Sequence, residues 1–267
     1  MIDLETMQFI AGEDGVGQLR LNRPDVLNAQ NPAMWLDLTE MMNRLSPRQD
    51  LRCLVVTGAG RSLSAGFDGT AMSSLARPLD TPEDREERRR QGLAWTEGFA
   101  KLSRAPFVTI AAIRGHALGA GFELAVACDL RVVTPTARLS AMGIRFGLIP
   151  DTGTAYWLPR LVGLGKAREL ILTGMTIEGS EAGRIGLAEH VVDDAELDAC
   201  ADRLARSIAA HSGTAVRAAK RVLEAGAELT FEQAREVAQR EQADCYSSAD
   251  FLRAASALGA RVAGSNS

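Results

Sequence analysis

Gly115-His116-Ala117-Leu118-Gly119-Ala120-Gly121-Phe122-Glu123 is the stretch on which the reading of this chain turns. It follows an apolar run, Val108 to Ile113, that reads as a buried strand, and it leads straight into a helical pattern, Phe122 to Cys128. A strand, a glycine turn and a helix in this order leave unpaired N–H groups at a helix N-terminus, which also carries a partial positive charge. Glycines there let the backbone approach a ligand closely. A second stretch of the same kind, Ser62-Leu63-Ser64-Ala65-Gly66-Phe67-Asp68-Gly69, stands behind another buried-strand pattern, Cys53 to Thr57. N–H groups converging from two such loops would hold a developing oxyanion. Glu123, about one turn into its helix, is placed to move protons beside them.

Working outward, strand patterns alternate with helical ones. Met7 to Asn22 reads as a hairpin turning at Asp14-Gly15. Asn31 to Leu45 follows as a helix, with Asn31 as cap and Pro32 at the first position. Thr81 to Lys101 is a charged helix whose acid–base spacings describe a solvated face. A strand at Leu130–Thr134 closes the alternation, which predicts right-handed crossovers and a mostly parallel sheet. Beyond Gly147-Leu148-Ile149-Pro150-Asp151 the pattern is mainly helical: Thr152–Leu158 if Asp151 caps it, then Arg160–Leu172, Ile177–Ile185, Asp194–Ala210, Thr214–Glu224 and Phe231 onward. A break near residue 195 divides a core, 1–195, from a helical region, 196–267, whose amphipathic stripes call for a partner surface.

Composition excludes several classes. The chain is an α/β protein of ordinary soluble composition, and its net charge of −4 leaves no footprint of a nucleic-acid binder. Four scattered cysteines and three histidines match no metal-ligand spacing, so no metal is expected. Met1 to Gly12 lacks the basic-then-apolar order of a secretory signal, and no apolar run is long enough to span a bilayer. The expected setting is a reducing cytoplasm, away from membranes. A dinucleotide fingerprint is also excluded. Gly119-Ala120-Gly121 and Gly58-Ala59-Gly60 both lack the third glycine, and neither a Gly-x-Ser-x-Gly elbow nor a phosphate-loop lysine occurs.

Further segments complete a pattern: Leu21-Asn22-Arg23-Pro24 with Leu27-Asn28-Ala29, Ser64-Ala65-Gly66-Phe67-Asp68, and Ile110 through Gly121 to Ala127-Cys128-Asp129. To these are added Gly147 to Asp151 and Leu158-Pro159-Arg160-Leu161-Val162-Gly163. Over nearly its whole length the chain resembles the enoyl-CoA hydratase/isomerase (crotonase) family. The resemblance implies a core of repeated ββα units in two roughly perpendicular sheets, a helical C-terminal region, and assembly as a homotrimer or a dimer of trimers. It also implies an acyl-CoA thioester as substrate, with coenzyme A part of that substrate and no separate cofactor.

By the same resemblance, the amides of Phe67 and Ala120 are the oxyanion-hole donors. Asp25, Val26, Leu27, Ala65, Asp68 and Gly69 lie along the coenzyme A moiety, and Glu123 matches the first of the two glutamates used by family hydratases. The second position falls on Gly143, which carries no carboxylate. Asp151, at a position where some family members have a catalytic aspartate, is the substitute; it also reads as a helix cap, and both readings stand at this point. His116 and Asp129 read as structural. The tail departs from the family pattern: Phe251 to Val262 offers small residues with Arg253 and Arg261 where an aromatic and a lysine often meet a neighbour's coenzyme. The expected activity is hydration of a 2-enoyl-CoA in acyl-CoA metabolism. Isomerisation by one carboxylate, acyl-CoA hydrolysis or decarboxylation, and non-catalytic acyl-CoA binding are the alternatives. Phe67 beside the hole predicts a narrowed pocket.

Overall fold

Two of the apolar runs, Cys53–Gly58 and Val108–Ile113, pair side by side in parallel and set the frame of the molecule, for which the computed structural model describes residues 1–264, with side chains through Leu258. In chain order, β1 (Ile2–Asp3), β2 (Met7–Ala11) and β3 (Val16–Leu21) form an antiparallel edge. Its tight turn uses left-handed backbone at Asp14 and Gly15, φ 54° and 78°. Helix α1 (Pro32–Leu45) begins where Asn31 accepts from the Met34 amide. Then come β4 (Cys53–Gly58), α2 (Gly69–Leu75), α3 (Pro82–Ser103), β5 (Val108–Ile113), β6 (His116–Leu118) and α4 (Ala120–Ala127).

β7 (Leu130–Val133), β8 (Arg138–Ser140), α5 (Thr154–Thr173), β9 (Ile177–Glu178), α6 (Gly179–Arg184) and β10 (His190–Val191) follow. The chain ends in α7 (Leu197–Ala209), α8 (Gly213–Glu228), α9 (Phe231–Tyr246) and α10 (Ala249–Gly264). The large sheet has the order β1-β2-β3-β4-β5-β7-β10, parallel from β3 onward, and β6-β8-β9 make a second, smaller sheet.

β4 is buried at every residue because both faces of the sheet are covered. Leu54 and Val56 face one side with Leu19, Leu21 and the buried residues of α1. Cys53 and Val55 face the other, where α7 lays Leu197, Ala201, Ala205 and Ala209 against them. Alternation along the strand sorts one apolar run into two cores. The Asp129 carboxylate then fastens α8 to the sheet: it accepts from Thr109 N and Oγ1 at 2.8 and 3.0 Å and from Lys220 Nζ at 2.8 Å.

Asp68 caps α2, accepting from Thr70 N and Ala71 N, so the first glycine stretch gives way to a helix at Gly69. Three expectations are corrected. His116–Leu118 is a strand, not glycine-loop coil, because it pairs with β8. The helix expected from Ile177 starts only at Gly179, because Ile177 pairs antiparallel with Leu139. The separate helices expected either side of Pro159 are one run, α5, broken only at Gly163 with φ 77° and ψ 154°. The outer faces of α8 to α10 leave Leu223, Phe231 and Leu258 exposed within the single chain.

Candidate active site

The loops after β4 and β5 run side by side. Ser64 N donates to His116 O at 2.8 Å, and Leu118 N donates back to Ser64 O at 3.1 Å. The approach is too close for side chains: a Cβ on Gly66, which has φ +91°, would sit 2.4 Å from Leu118 O, and one on Gly121 would sit 2.7 Å from Ser64 O. A buried polar frame holds the first loop from beneath. Ser64 Oγ donates to Asn28 O at 2.8 Å and accepts from Gly66 N at 3.1 Å, while Trp35 Nε1 donates to Gln30 Oε1 at 2.9 Å.

Two amides emerge from this arrangement without protein partners. Gln30 N donates to Gly66 O and Asp68 N to Gln30 O, so the flanks of Phe67 are bonded; its own N–H meets no acceptor among the described residues. Ala120 opens α4 behind Gly119, whose φ of 49° and N–H bond to Ser140 O at 2.8 Å set the turn. The Ala120 N–H likewise finds no acceptor among the described residues. The partly buried Phe67 ring packs against Trp35, centroids 4.9 Å apart, at the core's edge.

The residues expected along the thioester's carrier form one rim at the C-terminal ends of β3 and β4. Asp25 and Val26 lie exposed on a 3₁₀ turn, Pro24–Val26, that ends in left-handed Leu27. Leu27 O accepts from Ala65 N at 2.9 Å, joining the two segments. Asp68 Oδ1 accepts from Thr70 N and Ala71 N, and Oδ2 meets Arg23 Nη1 at 3.1 Å. The Ala71 amide first, and Arg23 with it, holds this carboxyl below the usual carboxylate range. The Asp68 side chain is therefore occupied in holding the loop, and its backbone is too, its N–H donating to Gln30 O and its carbonyl accepting from Met72 N, both at 2.8 Å; Gly69 beside it is exposed.

Glu123 lies in the first turn of α4 and is buried at 8 % relative exposure. Its Oε2 accepts from Thr152 Oγ1 at 2.5 Å and from Thr152 N at 3.3 Å. Burial pushes the carboxyl up to about 7; Asp151 pushes the same way, and the two Thr152 bonds oppose it. Asp151 is not a helix cap. The N-cap of α5 is Gly153, at φ 100°, with no capping side chain, so the turn over residues 151–153 keeps Asp151 out of capping reach. The residue is exposed overall, yet desolvation of its carboxyl moves it upward too.

Gly143 sits in the 3₁₀ turn Met142–Phe146, beside the Gly119 loop through Met142. His116 Nδ1 lies 3.1 Å from Ser62 Oγ and serves the loop frame. Sequence reasoning missed Thr152, whose only trace was the cap-like Asp-Thr-Gly-Thr string. Among the described residues no three His, Cys, Asp or Glu side chains gather as a metal site, and no helix is long and apolar enough to cross a membrane.

Two amides without protein acceptors beside a buried carboxyl raised to about 7 are chemically able to receive a carbonyl oxygen as it gains negative charge. Residues 11–258 match the family model described as enoyl-CoA hydratase/isomerase. The chain belongs to the enoyl-CoA hydratase/isomerase family. It is 30 % identical over 249 residues to the short-chain-enoyl-CoA hydratase of Clostridium acetobutylicum, covering 92 % of each protein. It is also 30 % identical over 226 residues to the peroxisomal Δ(3,5)-Δ(2,4)-dienoyl-CoA isomerase of Arabidopsis thaliana, covering 83 % of this chain and 81 % of that one. A Thermobifida fusca protein crystallised with CoA superposes with a TM-score of 0.83 at 36 % identity, over 91 % of this chain and 93 % of that one. As an enzyme of the enoyl-CoA hydratase/isomerase family, the chain processes acyl-CoA thioesters; relatives with both hydratase and isomerase names leave the reaction to be argued from the site.

Proposed function

We propose that this protein is an enoyl-CoA hydratase that adds water to a 2-enoyl-CoA. The observation that carries the reading is Glu123: a buried carboxyl near pH 7, one turn past the Ala120 amide, beside a second carboxyl at Asp151. The amides of Phe67 and Ala120 hold the thioester oxygen as it gains negative charge. Each such donor contributes about 2.7–4 kcal/mol to transition-state stabilisation, the largest single device in the site. Glu123 takes a proton from the attacking water as its oxygen bonds the β carbon, and the α carbon receives a proton as the enolate collapses. Asp151, free of any capping duty, is the second group available for that exchange.

The coenzyme A part of the substrate follows the rim formed by Asp25, Val26, Leu27, Ala65, Asp68 and Gly69. The exposed apolar side chains Leu223, Phe231 and Leu258 support assembly as a homotrimer or dimer of trimers. The reducing cytoplasm is the proposed setting. A second reading, double-bond isomerisation, is favoured by one specific observation: position 143 is glycine, and a single carboxylate suffices to carry a proton between two carbons on one face. Incubation with a 2-enoyl-CoA and with a 3-enoyl-CoA separates the two. Loss of the conjugated thioester absorbance from the first supports hydration, its appearance from the second supports isomerisation, and binding without either change refutes both.

A further inference from the structure

The two bonds from Thr152 to Glu123 fall on the same oxygen. Oε2 accepts from both the hydroxyl and the amide of Thr152. Oε1 receives no hydrogen bond among the described residues, yet it is not sealed; the fully buried side-chain atoms without partners there are Arg20 Nε and Thr154 Oγ1. Oε1 is therefore the oxygen left without a protein donor and not fully enclosed, while Oε2 is held by Thr152 just before α5. The two oxygens of this carboxylate differ in their work.

We propose that Thr152 is a positioning residue for Glu123, holding Oε2 as a fixed acceptor so that Oε1 is the oxygen that takes up and delivers the substrate's proton. This rests on the reading of Glu123 as the acid–base group. In the forward step a water O–H bond breaks, the proton joins Oε1, the water oxygen bonds the β carbon, and the displaced electron pair comes to rest on the thioester oxygen. A carboxylate bonded at one oxygen keeps its plane and rotamer through that exchange, which matters because small misplacements of a reacting group cost large factors in rate. The backbone amide can only donate, so protonation of Oε2 would cost that bond, whereas protonation of Oε1 costs none.

The same bonds set the working pH. Donors to the ionised form lower a carboxyl's pKa, here against burial and against Asp151. The elements packed around α4 are β6, α5 and α3. On α5, Arg160 lies over the Tyr156 ring and Lys166 pairs with Glu169. On β6, His116 faces Ser62. On α3, Glu86, Glu87 and Glu97 pair with Arg89, Arg90 and Lys101 on exposed surface.

The test compares Thr152→Ser and Thr152→Val with wild type by the pH dependence of kcat/KM on a 2-enoyl-CoA, and by ¹³C NMR titration of carboxyl-labelled glutamate in the intact protein. Thr152→Val should move the Glu123 titration and the acid limb of the rate profile upward by about one pH unit or more, the shift expected for loss of a hydrogen bond to a charged group. Thr152→Ser should restore both. A Thr152→Val titration that coincides with wild type, or a Thr152→Ser variant as impaired as Thr152→Val, overturns the proposal. The NMR shift does not depend on turnover. If Glu123 titrates as expected but Glu123→Gln keeps full activity, the acid–base reading fails and the positioning role fails with it.

Discussion

Gly66 packs against Leu118 so closely that a methyl group at position 66 would lie 2.4 Å from the Leu118 carbonyl oxygen. That contact brings the two glycine loops together one residue before Phe67 and two before Ala120. Gly66→Ala combines the clash with an unfavourable φ of +91°, so it should destabilise by about 1–3 kcal/mol and displace the Phe67 amide. The expected rate loss is about 10²–10³-fold in kcat. Gly92→Ala is the control: it lies inside α3 with nothing within 4 Å, and should raise stability by about 0.5–1 kcal/mol with turnover unchanged. Thermal melts beside steady-state rates check both, and full activity in Gly66→Ala would remove the packing argument.

How much of this was legible follows from where each signal resides. α1 was readable to the residue, because Asn31 and Pro32 act locally and Asn31 does accept from Met34. β4 and β5 were readable because burial on both faces demands unbroken apolar runs. α2 was not: its seven residues bury nothing, so no periodicity marks it. β9 was not either, since two residues become a strand only by meeting Leu139, far away in sequence. In the site, the glycines and Glu123 were readable from local chemistry. Thr152 was hidden because its partner lies 29 residues away, and Asp151 was open to a capping role that the left-handed turn at Gly153 denies it.

Glu123→Gln should abolish most turnover, by roughly 10²-fold or more, with KM changed little, because the amide keeps the shape but takes no proton. Its effect on stability runs the other way. The folded carboxyl titrates at about 7 against an ordinary 4.5, so between those values the native state binds more protons than the unfolded chain. Stability therefore falls as pH rises through that window, and the penalty is complete above it. Glu123→Gln removes this penalty and should stabilise the protein by up to about 3 kcal/mol at pH 8 and by little at pH 4. Denaturant titrations at the two pH values decide it; an equal effect at both would contradict the buried, raised carboxyl.

Asp151→Asn leaves α5 untouched, since Gly153 and not Asp151 stands at its cap. As an exposed substitution it should change stability by no more than about 0.5 kcal/mol. Removing its negative charge should lower the titration of Glu123, shifting the acid limb of the rate profile downward. A role in proton exchange adds a loss of roughly 10²-fold in kcat. A profile that shifts without a loss of kcat would assign Asp151 to tuning alone.

Gly143→Glu tests the missing second carboxylate directly. Gly143 has no positive φ, so a side chain brings no backbone strain. An added Cβ would meet Leu148 O at 3.5 Å and Leu148 Cβ at 3.6 Å, ordinary contact distances. The fold should accept the residue, and thermal melts should stay near wild type. A second carboxylate in this turn, beside the Gly119 loop, would give water addition the pair of groups that adjacent carbons call for, so hydration of a short 2-enoyl-CoA should rise. The new charge would also raise the pKa of a neighbouring carboxyl by repulsion, moving the pH optimum upward. A folded variant with lower hydration and an altered optimum would mean that the added group crowds Asp151 and that the native reaction already runs through it. Lower hydration with an unaltered optimum would mean that the turn does not aim position 143 at the carboxyl groups at all.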